Sequence, residues 1–392
     1  MNRLISITMT AILLVTAGCG GSGGQQQQGS GSGENNPHKA QSAHPPKVEK
    51  VRNQNQAGPD ENRPAKRKIE SLGFLEPMDK QKAVKDVNKV ADHLTYVSFF
   101  SYRVKPDGGL TPLKKDEPAL EETRKHGAIP MLVITNFEEG NFRPEVAHKI
   151  FTDKKASQRL TRNVIRVMKQ KGYQALNVDF EHIKEKDKKL YNGFLETFLP
   201  AIKKEGFTVS TALAPKSSEK QGGAWHGAHD YAFHGKVADF VILMTYEWGW
   251  SGGPPMAVSP IPQVKKVLDH AVTKIPREKI VMGAPLYGYD WTLPYKKDGP
   301  PAKRLAPQEA MELAQKTGAK IQFNNRDQAP FFYYRDDQQK KHVVWFENEQ
   351  STQAKFDLIK EYRLRGIGYW VLGEEYPRNW SLLQDNFNIK KK

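Results

Sequence analysis

Asn177, Asp179 and Glu181 recur at every second residue in Ala175-Leu176-Asn177-Val178-Asp179-Phe180-Glu181. In an extended segment side chains alternate between faces, so these three polar groups share one face and Leu176, Val178 and Phe180 take the other. Carboxylates two residues apart on a strand lie roughly 6–7 Å apart at Cα. That closeness couples their titrations and keeps one acid protonated more readily than a free carboxyl. A protonated carboxylic acid beside a carboxylate is what cleavage of a glycosidic bond needs. A buried structural acid pair, or a metal site, would account for the same spacing. The eleven histidines show no His-Glu-x-x-His or similar pattern, which disfavours metal, and no cofactor is implied.

The surrounding sequence predicts what positions these groups. From Ser71 onward, β-rich segments alternate with helical periodicity. The strand candidates are Leu72–Leu75, Leu94–Phe100, Ile129–Ile134, Ala175–Phe180, Thr208–Leu213, Phe240–Thr245, Ile280–Ala284 and Ile367–Leu372. Several are nearly continuous apolar runs, as parallel strands buried on both faces require. Between them, Leu160, Val164, Ile165 and Met168 mark one helical face, and Val264, Val267, Leu268 and Val272 another. Gly172, Gly206 and Gly366 read as helix stops. Eight such units with right-handed crossovers predict an α/β fold, a (β/α)8 TIM barrel. The stretch 292–345 is too long for an ordinary loop and reads as a small α+β insertion between strands seven and eight. A doubly wound open sheet is disfavoured because no Gly-rich phosphate loop follows the first strand. In a (β/α)8 barrel, chemistry belongs at the C-terminal ends of the strands, where the acid pair falls.

The N-terminal part is of another kind. Residues 1–18 carry Arg3, then an apolar run from Leu4 to Val15, then Thr16-Ala17-Gly18 before Cys19, the only cysteine. That is the pattern of a secretory signal. A cysteine directly after small residues resembles a bacterial lipoprotein cleavage box, which would make Cys19 the lipid-bearing mature N-terminus. An ordinary signal peptide with an incidental cysteine is the alternative. Residues 19–68, rich in Gly, Ser, Gln and Asn, read as a disordered tether, and the globular part as 69–392. The expected location is therefore the extracytoplasmic face of a membrane. One cysteine excludes an intramolecular disulfide and a cysteine-based zinc site. The 60 Lys and Arg exceed the 44 Asp and Glu, giving +16. Export, together with the lack of a basic stripe or known binding motif, argues against nucleic acid as partner.

These motifs resemble a known family. Asn177-Val178-Asp179-Phe180-Glu181 resembles the Asp-x-x-Asp-x-Asp-x-Glu motif of glycoside hydrolase family 18, the chitinase-like hydrolases. Leu243-Met244-Thr245-Tyr246 resembles its strand-six Met-x-Tyr, Gly283-Ala284-Pro285-Leu286-Tyr287-Gly288 its strand-seven segment, and Gly368-Tyr369-Trp370 its strand-eight tryptophan. The run from Met244 to Pro255, and Pro285 to Trp291, are similar to bacterial spore-cortex-lytic N-acetylglucosaminidases. The resemblance extends over nearly everything from Ser71 onward. It implies a retaining mechanism in which the substrate's 2-acetamido oxygen is the nucleophile and an oxazolinium forms. Glu181 would be general acid and base, Asp179 would orient the acetamido group, Tyr246 would bond its oxygen, and Trp370 would floor the reacting sugar. The family's first and fourth motif positions, usually Asp, are here Gln174 and Asn177, and Ala175 replaces a usual Gly. Asn177 removes one like charge beside Asp179.

Further candidates for substrate contact are Asn177, Tyr287, Trp248, Glu247 and Asn136. Trp248, Trp250 and Trp291 fall on expected loops and suit either sugar stacking or core packing. Glu247 is placed to bind substrate or to order Trp248. For Asn136, satisfying loop backbone is the competing role, and Glu76 and His182 read as structural. The reading is a lipid-tethered hydrolase of β-linked N-acetylglucosamine in peptidoglycan. Chitin hydrolysis and a non-catalytic lectin on the same cleft are the rivals, and retention of Glu181 disfavours the lectin. A structural lipoprotein with a buried acid pair is the remaining alternative.

Overall fold

The computed structural model describes residues 66–112 and 116–391. The expected signal, Cys19 and almost all of the tether lie outside the described residues.

Eight parallel strands close on themselves. They are β1 (Lys68–Leu75), β2 (Tyr96–Val104), β3 (Ile129–Thr135), β4 (Ala175–Asp179), β5 (Thr208–Leu213), β6 (Phe240–Leu243), β7 (Ile280–Pro285) and β8 (Gly366–Trp370). Each pairs with the next, and β1 pairs with both β2 and β8, Leu72 facing Tyr96 and Ser71 facing Ile367. The expected (β/α)8 barrel is the observed one, and each of its strands overlaps an expected segment.

Alternation along the strands sorts the core into two layers. On β4, Leu176 and Val178 join Phe180 in the outer layer, with Leu160, Val164 and Met168 of the helix Lys154–Lys171. Ala175 joins the inner cluster with Met131, Val133, Ala212 and Ile242. Asn177 and Asp179 therefore point inward, as the period-two pattern requires. The helix before β4 is bounded by Asp153, whose side chain accepts from the Lys155 and Ala156 amides, and by Gly172 at φ 73°.

Gly366 is not a helix stop. The preceding helix, Glu349–Glu361, ends at Tyr362, and Gly366 opens β8. A Cβ there would lie 1.7 Å from the carbonyl oxygen of Glu70, so barrel closure itself demands glycine. The same end of the barrel is plugged by an ion pair. Arg365 Nε and Nη2 donate to the two oxygens of Glu70 at 2.6 and 2.9 Å, and its guanidinium lies 4.8 Å from the centre of the Phe240 ring. Arg365 is partly exposed but Glu70 is buried, so removing the arginine strands a buried carboxylate. Arg365→Ala is expected to cost about 3 kcal/mol in urea unfolding, the lower end of such losses, because Lys390 still reaches Glu70 at 3.1 Å. Activity below the melting transition should be retained, since this plug lies at the opposite end from the acid pair.

The insertion is a five-stranded antiparallel sheet, in the order Lys303–Leu305, Gly288–Leu293, Lys341–Trp345, Ala329–Arg335, Gln322–Asn324. The helix Pro307–Thr317 packs on one face through Ala310 and Ala314, against Phe332 and Val344. Its first strand starts at Gly288, ahead of the expected boundary at Thr292. A Cβ on Gly288 would lie 2.3 Å from the Trp345 carbonyl oxygen, so glycine lets the chain leave β7 and enter the second sheet at once.

Candidate active site

The C-terminal end of β4 delivers Asp179, and Glu181 follows on the first residues of the loop. Both side chains are about 4% exposed. Deeper in the barrel, Ser210 Oγ on β5 donates to Asn177 Oδ1 at 3.0 Å. Asn177 Nδ2 and Asp179 Oδ1 are buried without a hydrogen-bond partner among the described residues. Buried polar atoms are rarely left so, and Asp179 Oδ1 is thus open to a ligand's donor.

Three neighbours fix Glu181. Its amide N–H donates to Asn136 Oδ1 at 3.0 Å, while Asn136 Nδ2 donates to its carbonyl at 2.9 Å and to that of Arg143 at 3.1 Å. Asn136, just past β3, thus clamps the backbone of the adjoining strand's end, and its amide is committed to that task. His229 acts one residue earlier. The Ala214 amide donates to its Nδ1 at 2.8 Å, so Nδ1 is bare, and Nε2–H donates to the Phe180 carbonyl at 3.1 Å. Burial pushes this imidazole down to about 4, consistent with a neutral ring. Finally, Trp225 Nε1 donates to Glu181 Oε2 at 2.6 Å.

Burial sets the electrostatics. Asp179 is pushed up to about 7 by loss of hydration. Glu181 is raised well above the carboxylate range, first by burial and then by the charges of Asp179 and Glu247, with the Trp225 hydrogen bond opposing. Burial thus biases both acids towards their protonated forms, the direction a general acid requires.

Tyr246 and Trp370 complete the inner cluster at this end. Tyr246 follows β6, and its ring lies against Gly283 of β7, where a Cβ would meet Tyr246 Cε1 at 2.8 Å. Burial raises its hydroxyl well above the usual range, with Asp179 and Glu181 contributing, so it remains a donor. Trp370 ends β8, with its ring edge-on to Phe100 at 5.4 Å and tilted against Phe74 at 5.4 Å.

The remaining expected contacts are placed differently. Glu247, at φ 67°, accepts from Tyr287 Oη, and from Tyr289 Oη at 3.0 Å. Tyr287 is buried, with the Arg304 guanidinium 4.4 Å from its ring centre. Arg304 in turn lies 3.0 Å from Glu374. Tyr287 and Glu247 thus brace each other beside Tyr246. Trp248 is half-buried and packs against the outer layer between strands and helices. Trp291 is a buried strand residue of the insertion, and its Nε1 donates to the Gly253 carbonyl at 2.9 Å. Trp225, His229, Tyr289 and Arg304 were not singled out in the sequence. The one signal for Trp225 was an aromatic residue inside Gly222-Gly223-Ala224-Trp225-His226-Gly227, on the loop after β5. Among the described residues, no group of three or more His, Cys, Asp or Glu could hold a metal ion.

Known proteins share this arrangement of chain. Residues 119–375 match the family described as Glycosyl hydrolases family 18. Two relatives named cortical fragment-lytic enzyme, from Bacillus subtilis (strain 168) and Bacillus anthracis, are 44% and 41% identical to this chain, covering 83% of it and 76% of each relative. The solved structure of the spore cortex-lytic enzyme SleL from Bacillus megaterium QM B1551 has a TM-score of 0.80 at 44% identity, covering 84% of this chain and 76% of that one. A chitinase from Chromobacterium violaceum ATCC 12472 shares the fold, with a TM-score of 0.74 at 22% identity over 81% of this chain and 98% of that one. With a closed eight-stranded barrel, and a family match over more than half its length, this chain belongs to family 18 of the glycosyl hydrolases and is a glycosidase.

Proposed function

We propose that this glycosidase cleaves β-linked N-acetylglucosamine in peptidoglycan, spore cortex in particular, with retention of configuration. The observation that carries the reading is the buried Asp179–Glu181 pair at the mouth of the barrel, with Asp179 Oδ1 left without a partner among the described residues. The kinship with cortical fragment-lytic enzymes supports the choice of glycan. In this mechanism Glu181 gives its proton to the glycosidic oxygen as the C1–O bond breaks. The substrate's acetamido oxygen bonds C1 from the other face, giving an oxazolinium. Asp179 Oδ1 takes the acetamido N–H and its charge faces the developing cation, while the Tyr246 hydroxyl donates to the acetamido oxygen. The carboxylate of Glu181 then removes a proton from water as the water oxygen attacks C1 and the oxazolinium reopens. Trp370 offers an aromatic floor to the apolar face of the sugar.

The test is to incubate the protein with cortex peptidoglycan, vegetative peptidoglycan and chito-oligosaccharides, and to weigh the products. N-acetylglucosamine reducing ends from peptidoglycan support the reading. Chitobiose from the soluble oligomers, with peptidoglycan untouched, replaces it with a chitinase. Binding without products replaces it with a lectin.

We further propose that Cys19 carries a diacylglyceryl anchor and that 19–68 tethers the barrel to the outer membrane face. Two acyl chains hold a protein on a bilayer where one does not. In a bacterial host, Cys19→Ser should move the protein from the membrane pellet to the soluble fraction. Persistence in the pellet, with no lipid mass on the parent's N-terminal peptide, would refute the anchor.

A further inference from the structure

Glu181 is held at its backbone by Asn136, and the carbonyl before it by His229, but a different residue touches its carboxylate. Trp225 Nε1 lies 2.6 Å from Oε2. An indole N–H can only donate, so Oε2 must accept whatever the state of the acid. A carbonyl oxygen accepts better than a hydroxyl oxygen, so when the acid carries its proton this contact favours the proton on Oε1. We infer that Trp225 is a positioning residue for Glu181, holding Oε2 so that Oε1 is the oxygen that delivers the proton. The inference rests on the role proposed above for Glu181.

The way Trp225 is held makes this contact a built one. Its loop, 214–230, wraps around the side chain of Glu185, four residues beyond the acid. The Gly223 amide donates to Glu185 Oε2 at 3.0 Å. A Cβ on Gly222 would lie 2.8 Å from that same oxygen, and one on Gly227 would lie 2.6 Å from Glu185 Cγ and 2.7 Å from its Cβ. Glycine at both positions lets the loop close on the glutamate. The indole plane is fixed by rings. His182, at φ 53°, stacks on Trp225 with centroids 6.4 Å apart and planes at 12°, and its own ring stacks on Phe142 at 5.6 Å. His226 lies tilted against the indole at 5.0 Å. Glu185 and His182 both come from the segment directly after Glu181, so the acid's own loop grips the residue that grips the acid.

The electrostatic consequence has a definite sign. A donor on a carboxylate favours its ionised form, and Trp225 opposes the burial and the charges of Asp179 and Glu247 that raise Glu181. The titratable groups facing this site are Asp179 on β4, Tyr246 and Glu247 after β6, and His182, His226 and Glu185 around the indole. Burial lowers His182, and lowers His226 to about 4, so the two rings add no charge near neutrality.

Trp225→Phe keeps a ring in the stack and removes the donor. It is expected to lower kcat by about 10- to 100-fold, the scale of a lost hydrogen bond to a charged group, with KM within about twofold. The basic limb of the pH–rate profile should move to higher pH, because Glu181 then keeps its proton longer. Gly227→Ala, which forces the loop off Glu185, should move the limb in the same direction. A second readout needs no turnover. In ¹H–¹⁵N spectra, the indole resonance missing from Trp225→Phe should shift with pH in the parent and cease to titrate in Glu181→Gln. A limb that stays or moves down, a loss confined to KM, or an indole titration that survives Glu181→Gln would overturn the inference. A parent that cleaves none of the three glycans removes the catalytic role of Glu181, while the indole titration still decides whether Trp225 holds its carboxylate.

Discussion

Glu181→Gln is expected to lower kcat by about 10³-fold, with KM changed by no more than about threefold, because proton transfer is lost and binding is not. Glutamine matches glutamate in size, and its amide oxygen can accept from Trp225 as Oε2 does. The Asn136 clamp engages only the backbone of residue 181. What disappears is the proton given to the leaving oxygen and the base that activates water. The same change should stabilise the fold in a pH-dependent way. A carboxyl raised by burial gives the folded state more bound protons than the unfolded chain, so its contribution is intact below its ordinary value near 4.5 and is lost as pH rises through its folded value. The uncharged amide of the variant loses nothing over that window. The variant should therefore melt higher than the parent at pH 8, with the gap closing towards pH 4. Initial rates on the cleaved glycan, with melting curves across that range, check both statements. An inactive variant that melts lower at pH 8 would mean that the ionised carboxylate stabilises the fold, against the direction in which burial moves it.

The parts of this site visible in the sequence are those written in local periodicity. Asn177, Asp179 and Glu181 could be put on one face because side chains alternate along any strand, and their inward direction followed from the apolar character of Leu176, Val178 and Phe180. The parts that escaped depend on loops meeting across the barrel mouth. Trp225 reaches Glu181 across 44 residues of chain, through a turn shaped by Glu185, and no spacing rule encodes that. Trp248 and Trp291 suited a cleft equally well by composition, yet one packs on the outer layer and the other lies in a strand that begins at Gly288. Gly366 shows the same limit. A glycine after a helical run has the local signature of a stop, whereas its cause is the approach of the Glu70 backbone from the opposite end of the chain. Asn136 sits between these extremes, legible as a polar residue at a strand end, with its target fixed only when β3 and β4 lie side by side.

Asp179→Asn is expected to lower kcat by about 10²–10³-fold, the scale of removing one preorganised group from a developing charge, and to shift the pH–rate profile opposite to Trp225→Phe. Asparagine still offers Oδ1 to an acetamido N–H, so KM should change little. The variant lacks the negative charge that faces the oxazolinium. In the parent, Asp179 is pushed up to about 7 by burial, so below that pH it is largely protonated and activity should fall along an acidic limb. Asparagine has no proton to lose there, and that limb should flatten. On the basic side the anion of Asp179 raises Glu181. Without it, Glu181 gives up its proton at lower pH, and the basic limb should move down. The two carboxyls titrate as a pair, so the limbs report joint steps of the pair, and removing one partner must move both. Full profiles of kcat for parent, Asp179→Asn and Trp225→Phe settle the matter together. A basic limb that rises or stays fixed in Asp179→Asn would mean that Asp179 acts on the substrate alone and not on the proton of Glu181. Limbs displaced in opposite directions by the two variants would place that proton under two controls, one from the end of β4 and one from the loop after β5.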